Sequence, residues 1–87
     1  MEITFTLNGE RVALTDKQIE AAVRNVEPEP LRSHAVEIHG RLYPIKQPFA
    51  LALQLDRLDF TTNQARTHLR RLGFPVSRVD GRTGSQA

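Results

Sequence analysis

The chain has 87 residues, of which 39% are hydrophobic and 25% are charged, and its formal net charge is +2 at pH 7. This length has room for one domain, and the composition is that of an ordinary globular protein. Without cysteine the chain cannot form disulfides, cysteine-ligated metal sites or a catalytic thiol. Because it also contains no apolar run of membrane-spanning length and no signal-peptide pattern, we expect a cytoplasmic protein with no membrane association.

Residues 2–14 are predicted to form a β-hairpin. Apolar and polar residues alternate over residues 3–7, which is the period of a half-buried strand. The pair Asn8-Gly9 follows, and both residue types readily adopt the positive φ that a two-residue hairpin turn requires. Residues 10–14 then supply the second strand.

A first helix is predicted to begin after Thr15. The sequence Thr15-x-x-Gln18 is a capping box, in which each side chain satisfies a backbone N–H of the other residue. Apolar residues continue at helical spacing as far as Val26. The Glu-Pro-Glu-Pro sequence at 27–30 is expected to end the helix, because proline cannot continue the hydrogen-bond ladder.

Residues 35–55 repeat the order of strand, turn, strand and helix. Residues 35–38 are predicted to be extended, His39-Gly40 to turn, and residues 41–45 to return as a strand. The run from Lys46 to Leu55 is rich in Ala and Leu, which favours a helix at the centre of the core.

The third predicted helix spans residues 61–72. Thr61-x-x-Gln64 is a second capping box, and apolar residues at 65, 69 and 72 share one face. Gly73 suits the position directly after a helix, where a left-handed backbone is common. Residues 74–79 then form a last extended segment.

Together these elements predict a single α+β domain over residues 1–79, followed by a flexible C-terminal tail at 80–87. The predicted order is β-β-α-β-β-α-α-β. A small sheet would pack on three helices, and the C-terminal half would be winged-helix-like.

The histidine and serine residues show no catalytic or metal-binding pattern. His34, His39 and His68 are scattered, whereas a zinc site needs several ligands at short spacing. No serine lies in a nucleophile motif, and no glycine-rich loop is placed to hold a phosphate. We therefore predict no enzyme activity, no metal, no cofactor and no small-molecule substrate. A small ribonuclease-like toxin, which would work with one histidine (His39 or His68) and arginines, is a third and weaker alternative.

Charge is distributed unevenly along the chain. Residues 1–30 contain three basic and six acidic residues, a net charge of −3, whereas residues 31–87 contain nine basic and four acidic residues, a net charge of +5. Such an asymmetry favours a charged partner.

The helix at 61–72 carries the residue types that DNA-binding helices use. Asn and Gln pair with adenine, Arg pairs with guanine, and Arg and Thr also bind phosphates. A helix, a short turn and this second helix follow the order of helix-turn-helix proteins. The residues predicted to contact duplex DNA are Asn63, Gln64, Arg66, Thr67, Arg70, Arg71 and Arg78. Among them, we expect Arg66 to reach base edges and Arg70 and Arg71 to contact phosphates.

Two other interpretations of these residues stay open. The arginines of the helix are a solvated polar face if no nucleic acid binds. The chain would then be a protein–protein interaction module of a bacterial defence or regulatory system, which docks a partner or a second copy through its acidic N-terminal part or an apolar sheet face.

Three short motifs between residues 36 and 76 are similar to those of a known bacterial family. They are Gly-x-x-Tyr-Pro-x-Lys at 40–46, a Phe at 60 before a helix, and Leu-Gly-Phe at 72–74. In this pattern the chain resembles the N-terminal head domain of McrA-type, modification-dependent (type IV) restriction endonucleases. The resemblance implies an association with DNA or with other parts of such an enzyme, and a phosphate contact for Lys46. The family's glycine-rich approach to the last helix is Thr61-Thr62 here, and residues 1–87 include no nuclease domain, so DNA cleavage is not implied.

Overall fold

A computed structural model gives the structure of residues 1–79. The strands are β1 (Glu2–Leu7), β2 (Glu10–Thr15), β3 (His34–Ile38), β4 (Arg41–Pro44) and β5 (Val76–Arg78), and the helices are α1 (Asp16–Ala22), α2 (Lys46–Leu53) and α3 (Thr62–Arg71). A short 3₁₀ helix at Arg57–Asp59 lies between α2 and α3. The α+β class and the predicted order of elements are confirmed. The predicted tail at 80–87 lies outside the described residues.

The strands form two antiparallel sheets instead of the single small sheet expected from the sequence. β1 and β2 pair only with each other, and β3 lies at the centre of a second sheet of order β4-β3-β5. Periodicity identifies strands and their hairpin partners, but it does not encode whether two hairpins pair with each other. The strand after α3 pairs with β3, so no further hairpin follows α3 within residues 1–79. The winged-helix-like character of the C-terminal half stays a prediction.

Both hairpin turns have the conformation that their sequences predict. Asn8 and Gly9 have φ values of 51° and 83°, and His39 and Gly40 have φ values of 53° and 77°. Positive φ at both central residues matches the right-handed twist of the flanking strands. These turns set the register, with Leu7 opposite Glu10 and Ile38 opposite Arg41.

The capping boxes at Thr15 and Thr61 are both confirmed. In the second box the Gln64 backbone N–H donates to Thr61 Oγ1 over 3.0 Å, and the Thr61 N–H donates to Gln64 Oε1 over 2.8 Å. The first box at Thr15 has the same two bonds. Helix α1 ends at Ala22, about one turn before the predicted end, and Asn25 follows in the left-handed region with φ 63°. The prolines at 28 and 30 therefore lie beyond the helix end.

One cluster of buried side chains joins both sheets to all three helices. Phe49 of α2 is fully buried, and the centroids of its ring and the Phe60 ring are 4.8 Å apart. This packing confirms α2 as a central element. Each fully buried Leu, Ile or Phe contributes about 1.5–3 kcal/mol relative to an exposed position. Within residues 1–79, no helix has the length and apolar character needed to cross a membrane.

Candidate nucleic-acid interface

Helix α3 has one buried side and one side that faces solvent. Ala65 and Leu69 are fully buried, as predicted, whereas Thr67 and Arg70 are exposed. Successive residues of a helix are about 100° apart, so Thr67 lies opposite the buried side and Arg66 lies at its edge. The hydroxyl of Thr67 donates to the backbone carbonyl of Asn63 over 2.9 Å, so Thr67 is bonded to its own helix.

Four arginines on α3 and β5 form a surface that we call the basic face. Its members are Arg66, Arg70, Arg71 and Arg78. Residues 60–79 contain these four arginines and no Asp or Glu. None of the four forms an ion pair with a carboxylate of the described chain, in contrast to Arg57, which forms a bidentate pair with Glu29. The basic face is therefore positively charged, and no carboxylate within residues 1–79 pairs with its arginines.

His34 of β3 lies close to Arg66 of α3 and Arg78 of β5. It is opposite Arg78 in the sheet, and Arg66 Nη1 lies 2.9 Å from its Nε2. Burial, and then the positive charges of Arg66 and Arg78, lower the pKa of His34 below its usual value of 6.5. His34 is therefore mainly neutral at pH 7, and the positive charge of this surface belongs to the arginines.

Three of the predicted base-reading residues are held by contacts within the protein. Arg66 donates to Asn63 Oδ1 as well as contacting His34, and the Oε1 atom of Gln64 is used in the capping box. Bidentate pairing with adenine needs both the oxygen and the N–H group of an amide. Neither amide nor the Arg66 guanidinium is therefore free to read bases in this arrangement.

Arg70 and Arg78 have the opposite character. Both side chains are exposed, and neither makes a hydrogen bond to another residue between 1 and 79. A free guanidinium presents several donors in a fork that fits phosphate oxygens. These two arginines are the members of the basic face that are best placed to meet a phosphate backbone.

Arg71 is exposed and lies at the edge of the basic face that is nearest to β1, where His68 packs on an aromatic ring. Arg71 Nη1 lies 3.3 Å from His68 Nδ1, and the His68 ring stacks on Phe5 with centroids 3.8 Å apart and planes at 15°. Burial, with a smaller contribution from Arg71, lowers the pKa of His68. The sequence showed no signal for this stack, which attaches α3 to the N-terminal hairpin.

Lys46 lies in a cavity and not on the basic face. Its Nζ donates to the Arg57 carbonyl over 2.8 Å and lies 5.2 Å from the centre of the Phe60 ring. The cavity has a volume of about 320 Å³, and we call it the basic cavity. Its walls are Glu29, Pro30, Arg32, Ser33, His34, Pro44, Ile45, Lys46, Arg57 and Thr62.

Gln47 is a structural residue that sequence reasoning missed. Its side chain is buried and bridges two backbone groups of the segment before β3, donating to the Glu27 carbonyl over 3.0 Å and accepting from the Glu29 N–H over 2.9 Å. Arg57 then binds the Glu29 carboxylate and lowers its pKa. These contacts hold one wall of the basic cavity against α2. In residues 1–79, no three His, Asp or Glu side chains come together as metal ligands.

A family model described as SCO5918-like matches residues 11–86. The chain belongs to the SCO5918-like family. The matched range contains every residue of the basic face and every wall of the basic cavity, whereas β1 precedes it. No curated protein and no solved structure gives a significant match to the chain.

Proposed function

We propose that the chain is a small non-catalytic DNA-binding domain that contacts the phosphate backbone of duplex DNA through the basic face. The observation that carries the proposal is the set of four arginines on α3 and β5, with no acidic residue between positions 60 and 79. The side chains of Arg70 and Arg78 are exposed and make no hydrogen bond to another residue between 1 and 79. An uncompensated positive surface of this kind attracts polyanions.

The contacts of α3 favour phosphate binding over base recognition. The groups that would read bases are engaged by the capping box and by His34. Contacts to phosphate position a protein on DNA but carry no sequence information. We therefore expect binding that depends strongly on salt and weakly on sequence.

The salt dependence of DNA binding can be estimated from the number of phosphate contacts. Each phosphate that is neutralised contributes about −0.9 to the slope of log K against log salt concentration. If all four arginines contact phosphates, the slope is about −3.6. Removal of two of these arginines together should lower the magnitude of the slope by about 1.8.

The test compares two charge-matched double variants of the full chain by fluorescence anisotropy with a labelled duplex. Arg70→Gln/Arg78→Gln removes two charges from the basic face, and Lys17→Gln/Arg24→Gln removes two exposed charges in and after α1. Titrations at several salt concentrations between about 50 and 200 mM give the slope for each protein.

The first variant should bind more weakly to every duplex and show the smaller slope, while the second should resemble the parent chain. Equal losses in both variants would mean that only net charge matters. If the parent chain does not bind duplex DNA above background at about 50 mM salt, where such contacts are strong, the proposal is refuted and the arginines are a solvated face.

The resemblance of residues 36–76 to McrA-type head domains adds the proposal that the domain serves a DNA-restriction system.

A protein–protein interaction module is the second candidate, and exposed leucines near α2 favour it. Leu58 is 91% exposed and Leu51 is 41% exposed, and exposed apolar surface often marks a protein interface. Sedimentation of the parent chain and of Leu58→Ser tests self-association through Leu58, which requires the parent chain to dimerise and the variant to stay monomeric.

A further inference from the structure

We propose that the basic cavity is a binding site for the phosphate group of a phosphate monoester. The cavity is bounded by the segment before β3, the end of β4, and the starts of α2 and α3. Its volume of about 320 Å³ falls at the lower end of the range for small-ligand pockets, which begins at about 300 Å³. A phosphate with a small attached group is a ligand of suitable size.

The charges of the walls match a dianion. Arg32, Lys46 and Arg57 are positive and Glu29 is the single negative wall residue, so the lining has a net charge of +2. Arg57 holds both carboxylate oxygens of Glu29, which leaves the charges of Arg32 and Lys46 uncompensated. A phosphate monoester carries a charge of about −1.5 to −2 at pH 7.

Two wall residues offer charged donors that the protein does not use fully. The Arg32 side chain makes no hydrogen bond or ion pair within residues 1–79. The Lys46 ammonium has three N–H donors, and the only acceptor it has in the described chain is the Arg57 carbonyl.

His34 is a further wall of the cavity, but it does not add a donor. The Arg66 guanidinium can only donate, so its contact with His34 Nε2 places the hydrogen of the neutral ring on Nδ1. Because that Nδ1 atom is buried, a ligand in the cavity meets Arg32 and Lys46 and not this N–H group. The guanidinium of Arg32 and the ammonium of Lys46 are both donors that phosphate oxygens accept.

A phosphate monoester that fits the cavity could come from two sources. They are the terminal phosphate of a nucleic-acid strand and a free mononucleotide. The first source rests on the proposed function. It is favoured by the position of His34, which lines the cavity and also contacts Arg66 of the basic face. A strand end lying along the basic face would therefore reach the cavity.

The test is an amide NMR titration of the full chain with inorganic phosphate and with adenosine 5′-monophosphate. Saturable shifts should appear at the cavity residues 32–34, 46 and 62. Arg32→Gln removes an exposed side chain without structural contacts, and it should raise the dissociation constants at least about tenfold, as expected for a charge-assisted hydrogen bond. Arg24→Gln, an exposed arginine outside the cavity, is the control and should leave both constants unchanged.

A weak site with a dissociation constant of about 1 mM is nearly saturated at about 10 mM ligand. The absence of saturable shifts at that concentration would overturn the proposal. Equal weakening in the two variants would also overturn it, because only net charge would then be at work.

A second pair of titrations separates the two sources and the two proposals. A duplex with 5′-phosphates is compared with the same duplex ending in 5′-hydroxyls. Tighter binding of the phosphorylated duplex, with shifts at the cavity residues, identifies the strand end as the ligand. Equal binding of both duplexes, with mononucleotide binding retained, identifies the free nucleotide.

The two proposals can fail separately in these experiments. If the phosphate ligands bind and no duplex binds, the cavity site stands and the proposed DNA-binding function fails. If duplexes bind and neither phosphate ligand binds, the function stands and the cavity site fails.

Discussion

Truncation of Leu69 should detach α3 from the core, because this residue is the centre of the buried side of the helix. Leu69 is 0% exposed and belongs to the single cluster of buried side chains. Leu→Ala at such a site costs about 2–5 kcal/mol, since transfer free energy is lost and a cavity is left behind. A domain of this size has a total stability of roughly 4–13 kcal/mol. A loss of about 3 kcal/mol would lower Tm by about 12–24 °C.

Leu58 provides a control with the same chemical change in the opposite environment. It is 91% exposed, so Leu58→Ala should change stability by less than about 0.5 kcal/mol. Thermal and urea unfolding followed by far-UV circular dichroism measures both variants. If Leu69→Ala costs less than about 1 kcal/mol, or if the two variants unfold together, α3 is not anchored as the structure describes and the placement of the basic face is refuted.

Three further predictions concern the cap, the bridging amide and the histidines. Thr15→Ala and Thr61→Ala should each cost about 0.5–2 kcal/mol through loss of a capping bond, and unchanged urea midpoints would contradict this. Gln47→Ala should cost about 1–3 kcal/mol because two part-buried backbone partners lose their bonds, whereas an unchanged Tm would show that the bridge is dispensable. Because the pKa values of His34 and His68 are lowered on folding, the unfolded chain binds more protons below pH about 6.5, and stability should decline as the pH falls from about 7.5 to 5.5. Replacement of both histidines by Gln should flatten this dependence, and a parent chain that is equally stable at both pH values would contradict the assignment.

Many local features of the fold could be predicted because they depend on residues that are close in sequence. The turn at Asn8-Gly9 follows from the backbone freedom of two adjacent residues, and the capping boxes follow from pairs three residues apart. The buried side of α3 follows from helical periodicity. The end of α1 was harder to place, because Asn25 ends the helix region in a left-handed conformation before the prolines are reached.

The candidate site was only partly visible in the sequence. The arginines of α3 and β5 could be counted, and the absence of acidic residues beside them could be seen. Their partners could not, since Arg66 and His34 are separated by 32 positions. This contact holds Arg66 against the sheet. Because Arg66 is held there, the basic face favours contact with phosphates over recognition of bases.

The sequence by itself determined the class of the fold, the order of its elements, the hairpin turns and the helix starts, because short-range sterics and hydrogen bonds specify them. The tertiary structure alone decided that the strands divide into two sheets and that His68 stacks on Phe5. It also decided that residues between 29 and 62 come together as the walls of the basic cavity. These features depend on how elements distant in sequence pack against each other, and local periodicity contains no information about which distant elements will meet.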